Sequence, residues 1–244
     1  MIVLHLFFMA LPFFYSEAIQ PGTGQLVLNE DTSKHVVQVL RMQNGDHLNL
    51  TDGRGYIFNA AIIDDHKKRC TVKILSEKYL EQSEKKITIA ISPVKNAGRF
   101  EWFLEKATEI GVQEIIPLIC ERTEKQHVRM ERLNGILVSA MLQSQQCWLP
   151  VLQEPVRLKD LVNRRFENTN KYIAHCLPEG NKESIHSKIH RSENQLILIG
   201  PEGDFTNDEI DLSLKNNFIP VTLGETRLRT ETAAIVATVL LNSY

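Results

Sequence analysis

The sequence predicts an α/β protein in two parts, a small β barrel or curled sheet first and then a larger open α/β sheet with a ligand crevice. Three observations give this reading. In the last fifth of the 244 residues, two apolar strands each run into a glycine turn, QLILIGPEGDF at 195–205 and FIPVTLGETRLRTETA at 218–233. Both read as strand, ligand loop, then helix, and ligands in open α/β sheets sit outside the carboxyl ends of the strands. Upstream, residues 25–80 break into short strands separated by turn signals. Between the two parts, EKYLEQSEKK at 77–86 is charged and poor in apolar residues, which suits a linker. The domain bounds that follow are 9–80 and 86–244.

Bulk composition narrows the function classes. Hydrophobic residues at 43% and charged residues at 24% are ordinary for a folded globular chain and exclude a disordered one. A net charge of −2 places any nucleic-acid contact on local patches. Cys70, Cys120, Cys147 and Cys176 are scattered with no C-x-x-C pair, which fits neither a zinc site nor a disulfide scaffold. They read as reduced core residues of a cytosolic protein that needs no metal. Residues 1–15 are almost wholly apolar, and Ser16-Glu17-Ala18 has signal-peptidase spacing, so export is an alternative. Against it, the stretch has no Lys or Arg, Pro12 interrupts it, and it is too short to span a bilayer.

In chain order, a helical turn is expected over 33–40 and a turn at Asn44-Gly45-Asp46. Strands follow at 47–51, 56–63 and 70–75, with Asp52-Gly53-Arg54-Gly55 turning between the first two. An apolar strand at 87–92 leads into a helix over 99–110, with Phe100, Phe103, Leu104, Ala107 and Ile110 on one face and Gly111 as its cap. Trp102 points off that face, toward packing on another domain or a stacked base. Glu101, Glu105 and Glu109 recur every four residues as a solvated face. A strand is expected over 114–120 with Glu121-Arg122-Thr123 at its exit, a place that makes Arg122 a candidate for substrate contact. Helices are then expected over 130–146 and 159–166, and a strand over 171–176. Thr206 and Glu209 form a capping box that opens a helix over 207–216. The last helix, 230–242, is apolar around its whole circumference, which calls for burial on all sides.

Neither glycine turn carries G-x-G-x-x-G or G-x-x-x-x-G-K-[ST], so the dinucleotide and P-loop readings lack their residues. Gly200-Pro201-Glu202-Gly203 is instead a stiff turn with two flexible ends, where main-chain groups can approach a nucleoside. Arg227 and Arg229 stand where the last helix begins, and cations there oppose the helix dipole by about 0.3–1 kcal/mol each. Either an anionic ligand meets them, or Glu225 and Glu231 neutralise them.

GPEG-D-F-T-x-x-E-I followed by L-G-x-x-x-L-R-T-E-T-A resembles the RNA methyltransferase family that methylates uridine at the 3-nitrogen in 16S ribosomal RNA. The resemblance extends to Val39-Leu40-Arg41, Gly45-Asp46, Asp52-Gly53-Arg54-Gly55, Arg99-x-Glu101-Trp102 and Glu105 through Val112. It implies a trefoil-knotted SPOUT domain that binds S-adenosylmethionine, a PUA-like RNA-binding domain before it, and a homodimer through the C-terminal domain. The implied cofactor set is Cys176, Leu177, Leu198, Ile199, Gly200, Pro201, Gly203, Leu223, Gly224, Leu228 and Thr230. The implied RNA set is Lys34, His35, Arg41, Arg54 and Arg99, with Arg122 beside them. Arg229, Glu202 and Glu231 are the catalytic candidates. The uracil proton leaves to Glu202, to Glu231, or to water while Arg229 steadies the negative charge. The resemblance also places the start of translation at Met9. Four positions depart from the family pattern: Asp204 replaces a glycine, Gln146 and Thr226 replace arginines, and Arg227 replaces an apolar residue. Those departures keep open a protein that has retained the fold and RNA binding without catalysis.

Overall fold

A computed structural model of the chain describes residues 11–176, 183–188 and 193–242, so Met9 and Leu177 fall outside the described residues. The chain divides into two units, one of residues up to Gln82 together with Gln145–Trp148, the other of Ser83–Ser144 and Leu149 onward.

The first unit contains β1 (Phe13–Tyr15), β2 (Gln25–Val27), the short helix α1 (Glu30–Lys34) with a π-helical continuation over His35–Val39, and β3 (His47–Thr51), β4 (Tyr56–Asp64) and β5 (Thr71–Tyr79). The strands pair in the order β1-β3-β4-β5-β2, with β1 parallel to β3 and the other pairs antiparallel. Among the described residues β1 and β2 stay at the edges, so this is the curled sheet rather than a closed barrel. Its core is the alternating inward set Leu48, Leu50, Phe58, Ala60, Ile62 and Val72, closed by Phe14, Ile19 and Val36. The turn between β3 and β4 is built on buried Asp52, whose carboxylate accepts from the amides of Arg54 (2.8 Å) and Tyr56 (3.2 Å). Gly55 follows at φ 100°, where a Cβ would come within 2.5 Å of the Trp148 ring. Only glycine fits there.

Strand β5 runs four residues beyond its predicted end, into the stretch read as linker. The apolar pattern stops at Leu75, but the ladder to β4 continues to the Tyr56–Tyr79 pair. There the Tyr79 ring packs 4.9 Å from Tyr56 and 5.9 Å from Trp148, and the Glu77 carboxylate accepts from the Gly22 amide. Cross-strand aromatic contact outweighs the charged composition.

The second unit is a wholly parallel sheet with helices on both faces. Its elements are β6 (Ile87–Ile91), α2 (Ala97–Ile110), β7 (Glu114–Ile119), α3 (Met130–Gln143), β8 (Val151–Leu152), β9 (Val156–Arg157), α4 (Leu158–Val162), β10 (Thr169–Ala174), β11 (Glu183–Ser184), β12 (Asn194–Ile199), α5 (Asn207–Lys215), β13 (Ile219–Thr222) and α6 (Thr230–Asn242). The order is β11-β13-β10-β12-β6-β7-β8, with β9 also on β7. Strands buried on both faces read as continuous apolar runs, which is why β6 and β12 were visible in the sequence. Along β12, Ile197 and Ile199 face the core under α2, α3 and α6, while Leu196 and Leu198 face the one under α4 and α5.

Several boundaries differ from expectation. Helix α3 stops at Gln143 because Gln145 takes φ 56° and the next residues join the first unit. Helix α4 is one turn long and does not reach Phe166. Helix α6 is not enclosed on all sides within the chain: Thr230, Ala234, Ala237 and Leu241 are buried, whereas Val239 is 41% exposed. Trp102 is likewise 45% exposed. Cys70, Cys120 and Cys147 are buried as expected, but Cys176 is exposed at the exit of β10.

Candidate functional site

The crevice follows from strand register. In the sheet β10 lies between β12 and β13, with Ala174 level with Ile199 on one side and Val221 on the other. The two loop-bearing strands are not neighbours; a third strand separates them. Because all three end level, the loops after β12 and β13 nevertheless close over the end of β10. A point where strand order doubles back is where open α/β sheets hold ligands.

Two adjoining cavities occupy this place. One, of about 370 Å³, is walled by Gly200, Pro201 and Glu202 after β12 and by Leu228, Arg229, Thr230 and Glu231 at the start of α6, with Arg99 at its rim. The other, of about 380 Å³, is walled by His175, Val221, Leu223, Gly224 and Glu225. Ala174, Cys176, Arg227, Leu228 and Ala233 line both. Volumes of this size suit small-molecule ligands. Each cavity mixes apolar and charged walls: Val221 and Leu223 stand with Glu225 in one, Ile199 and Pro201 with Glu202, Arg229 and Glu231 in the other, and Leu228 and Arg227 are shared. Together they suit an elongated ligand that is apolar in part and charged in part, as S-adenosylmethionine is.

The loop after β12 is fixed at three consecutive residues. A Glu202 oxygen accepts from the Lys95 amide (3.0 Å), the Gly203 carbonyl accepts from Arg122 Nη1 (2.7 Å), and Asp204 Oδ2 accepts from the Cys176 amide (2.8 Å). Asp204 itself stands at φ 62°, and its other carboxylate oxygen accepts from the Phe205 amide (2.9 Å). The residue that departs from the glycine pattern therefore accepts the left-handed backbone and ties the end of β10 to the loop. Gly200 lies under the Phe205 ring, where a Cβ would sit 3.0 Å from a ring carbon. The Thr206–Glu209 capping box is present, and the second Glu209 oxygen accepts from the Glu121 amide (2.8 Å).

The charged residues divide by partner. Glu231 is buried in the first turn of α6, where an acid is favoured by the helix dipole, and faces Arg99 Nε at 3.7 Å. Arg229 is exposed and has no ion pair among the described residues; neither Glu225 nor Glu231 neutralises it. On the neighbouring helix, Glu101 is gripped at both oxygens by Arg132 (2.6 and 2.8 Å), and Lys106 bridges Glu105 and Glu109. That acidic row is a set of ion pairs.

Of the sequence-predicted cofactor set, Cys176, Ile199, Gly200, Pro201, Leu223, Gly224, Leu228 and Thr230 line one or both cavities. Leu198 does not: it is fully buried on the opposite face of β12. The Gly203 carbonyl turns toward Arg122, so it also stands outside the cavity walls, and Arg122 serves the loop that forms them. The RNA set divides too. Arg99 belongs to the crevice. Lys34 pairs with Glu30 (2.7 Å) one turn back in α1, and His35 packs edge-on to Phe14. Arg41 stands at φ 56° after the π turn, and Arg54 reaches the Glu17 carbonyl (3.4 Å). The sequence did not single out Lys95 or His175; Lys95 acts through its backbone amide, which leaves no residue-type signal.

Comparison with known proteins bears on this geometry. A family model described as an RNA methyltransferase domain matches residues 81–242, and one described as an RNA methyltransferase PUA domain matches residues 28–75. A protein of Rickettsia conorii named ribosomal RNA small subunit methyltransferase E is 31% identical over 217 residues, covering 88% of each chain. The crystal structure of a probable rRNA-methyltransferase from Porphyromonas gingivalis is 38% identical, with a TM-score of 0.89 over 96% of this chain and 98% of that one. A ribosomal RNA small subunit methyltransferase E from Neisseria gonorrhoeae, solved bound to S-adenosyl methionine, is 27% identical, with a TM-score of 0.85 over 96% of this chain and 97% of that one.

Proposed function

Since the chain belongs to the RNA methyltransferase family, we propose that it methylates a uridine of 16S ribosomal RNA at the 3-nitrogen, with S-adenosylmethionine as donor. The observation that carries this reading is the pair of adjoining cavities at the level ends of β10, β12 and β13, which together offer apolar and charged walls to an elongated ligand.

When bound, the cofactor supplies an electrophilic methyl group on a sulfonium, so the protein has to align donor and acceptor and manage one proton. Gly200, Pro201 and Leu228 offer backbone and apolar contact at the cavity walls. Glu202 and Glu231 each already hold a partner. The Arg229 guanidinium has no hydrogen bond or ion pair among the described residues, and placed there it stabilises the charge that develops on the uracil ring. The imide proton leaves to solvent or to the Glu202 oxygen that the Lys95 amide does not hold.

The finer architecture belongs to the same proposal. We place the domains at 9–80 and 86–244, with the first a PUA-like RNA-binding module. A trefoil knot is supported by the path of the chain, since β13 lies beyond β10 from β12 while α6 packs on β6 and β12. A homodimer is supported by the large apolar side chains that α2 and α6 expose, Trp102 and Val239. No described helix is long and apolar enough to cross a membrane. Ribosomal RNA as substrate supports a cytoplasmic location.

The test is mass spectrometry of the uridines in small-subunit RNA from cells lacking this protein, paired with calorimetric titration of the purified chain with S-adenosylmethionine. Loss of one N3-methyluridine and saturable cofactor binding are expected. Intact methylation in the deletion strain, or no cofactor binding, would end the reading.

A further inference from the structure

A third cavity lies across the β6–α2 loop from the cofactor crevice, in the same unit, and nothing in the reading above uses it. It is about 360 Å³, with an apolar floor that includes Val94, Phe100, Val128 and Leu133 and a rim that carries Lys125, His127 and Arg129. The acid at its edge, Glu101, is already held through both oxygens by Arg132, which keeps its carboxyl below the usual range. Lys125 and Arg129 stand in no ion pair among the described residues. Arg129 is also the residue before α3, a helix start that has no side-chain cap. Glu131 in the first turn of α3 and Glu101, on which Lys125 and Arg129 also act, offset part of this charge, but the cavity lining still carries Lys125, Arg129 and Arg132 against the single acid Glu101, an excess that an anion would relieve.

The position decides which anion. The loop that walls this cleft at Pro93 and Val94 also supplies the Lys95 amide that holds Glu202, and Arg99, four residues after Lys95, reaches the rim of the cofactor cavity. The cleft is therefore one loop away from the catalytic candidates. Apolar floors flanked by cations are how proteins seat single-stranded RNA, with the base unstacked onto the floor and the phosphates on the rim.

We infer that this cleft holds a nucleotide flanking the target uridine, its base over Val94, Phe100 and Val128 and its phosphates on Lys125 and Arg129. The inference rests on the methyltransferase reading and adds a substrate subsite to it.

The double variant Lys125→Gln/Arg129→Gln of the full chain tests it, assayed on small subunits from cells lacking the protein. KM for RNA should rise about tenfold with kcat within about twofold, and the slope of log KM against log salt should fall by roughly 1–2. S-adenosylmethionine affinity and melting temperature should not move. An unchanged KM and salt slope in a variant whose parent methylates would overturn the cleft and leave the function standing. A parallel loss of cofactor affinity and melting temperature would overturn it too, by showing a structural role. If the parent transfers no methyl group, the functional reading fails first, and filter binding of the same RNA to both proteins then decides the cleft: equal affinity rejects it and weaker binding by the variant supports it.

Discussion

The two loops that close the crevice are built in opposite ways. After β12, three consecutive residues are each tied to a different neighbour: Glu202 to the loop after β6, Gly203 to Arg122 after β7, and Asp204 to Cys176 after β10. Pro201 is buried beside them, and the capping box fixes the helix that follows. After β13, residues 224–227 are an exposed run. Its described hydrogen bonds run between Thr222 and Gly224, within the loop itself. Regions with few contacts and exposed backbone open at low free energy, so the first loop is preformed and the second takes its order from what binds. We propose a division of labour on this difference: the fixed loop preforms one wall of the donor site, and the loose one, which lines both cavities as well, brings Arg229 to the RNA.

The largest expected effect is on the loose side. Arg229→Ala should keep the fold and most S-adenosylmethionine affinity yet lower methyl transfer at least tenfold, about 1.4 kcal/mol or more of transition-state stabilisation. Lysine should restore little, because a point charge lacks the two-pronged grip of a guanidinium. Single-turnover methylation, cofactor titration and melting on one preparation separate this from a structural role. Normal turnover in the alanine variant would remove Arg229 from catalysis.

On the fixed side the effect should be smaller and of the other kind. Asp204→Ala loses the tie to Cys176 and leaves an alanine in a left-handed backbone, at a combined cost of about 1–2 kcal/mol. Stability should fall, and cofactor affinity should weaken about fivefold, which corresponds to about 1 kcal/mol. The methyl-transfer rate at saturating cofactor should hold. Asp204→Gly should recover the backbone part and leave the hydrogen-bond part, so a glycine variant no more stable than the alanine one would contradict the account.

The same contrast explains what the sequence disclosed. Strands β6, β7 and β12 announced themselves as continuous apolar runs, the capping box named the start of α5, and the two glycine loops marked the crevice. Topology did not show: nothing in residues 171–176 says that their strand inserts between β12 and β13, because register is a property of the assembled sheet. Leu198 was placed in the site by the family resemblance, but alternation along β12 turns its side chain to the far face. Lys95 was invisible because a backbone amide has no residue type. Asp204 read as a defect in a motif until its two carboxylate oxygens were seen to be bonded. Tyr79 lay in a stretch whose charge said linker, and its ladder pairing with Tyr56 together with its ring contacts keeps it in a strand.

The smallest expected effect lies at the opposite end of the sheet and serves as the control for both loops. Glu114 opens β7, where burial works against its charge. Hydrogen bonds from Lys86 (2.9 Å), Gln153 (2.8 Å) and Thr88 (2.9 Å) outweigh that burial and hold its carboxyl below the ordinary value. A carboxyl whose folded value is depressed adds stability that is fully present above its unfolded value, near pH 4.5, and is lost as pH falls through the folded value. Lys86 is 48% exposed, so the ion pair contributes under about 1 kcal/mol. Glu114→Gln should therefore show a flatter decline of the urea midpoint between pH 5 and pH 3 than the parent. Methylation at neutral pH should be unchanged, since no atom of Glu114 faces the crevice. An equal decline in both proteins would mean that other carboxyls carry the acid sensitivity. A loss of methylation would mean that the two ends of the sheet are coupled, and the division of labour between the loops could then not be read from their own bonds.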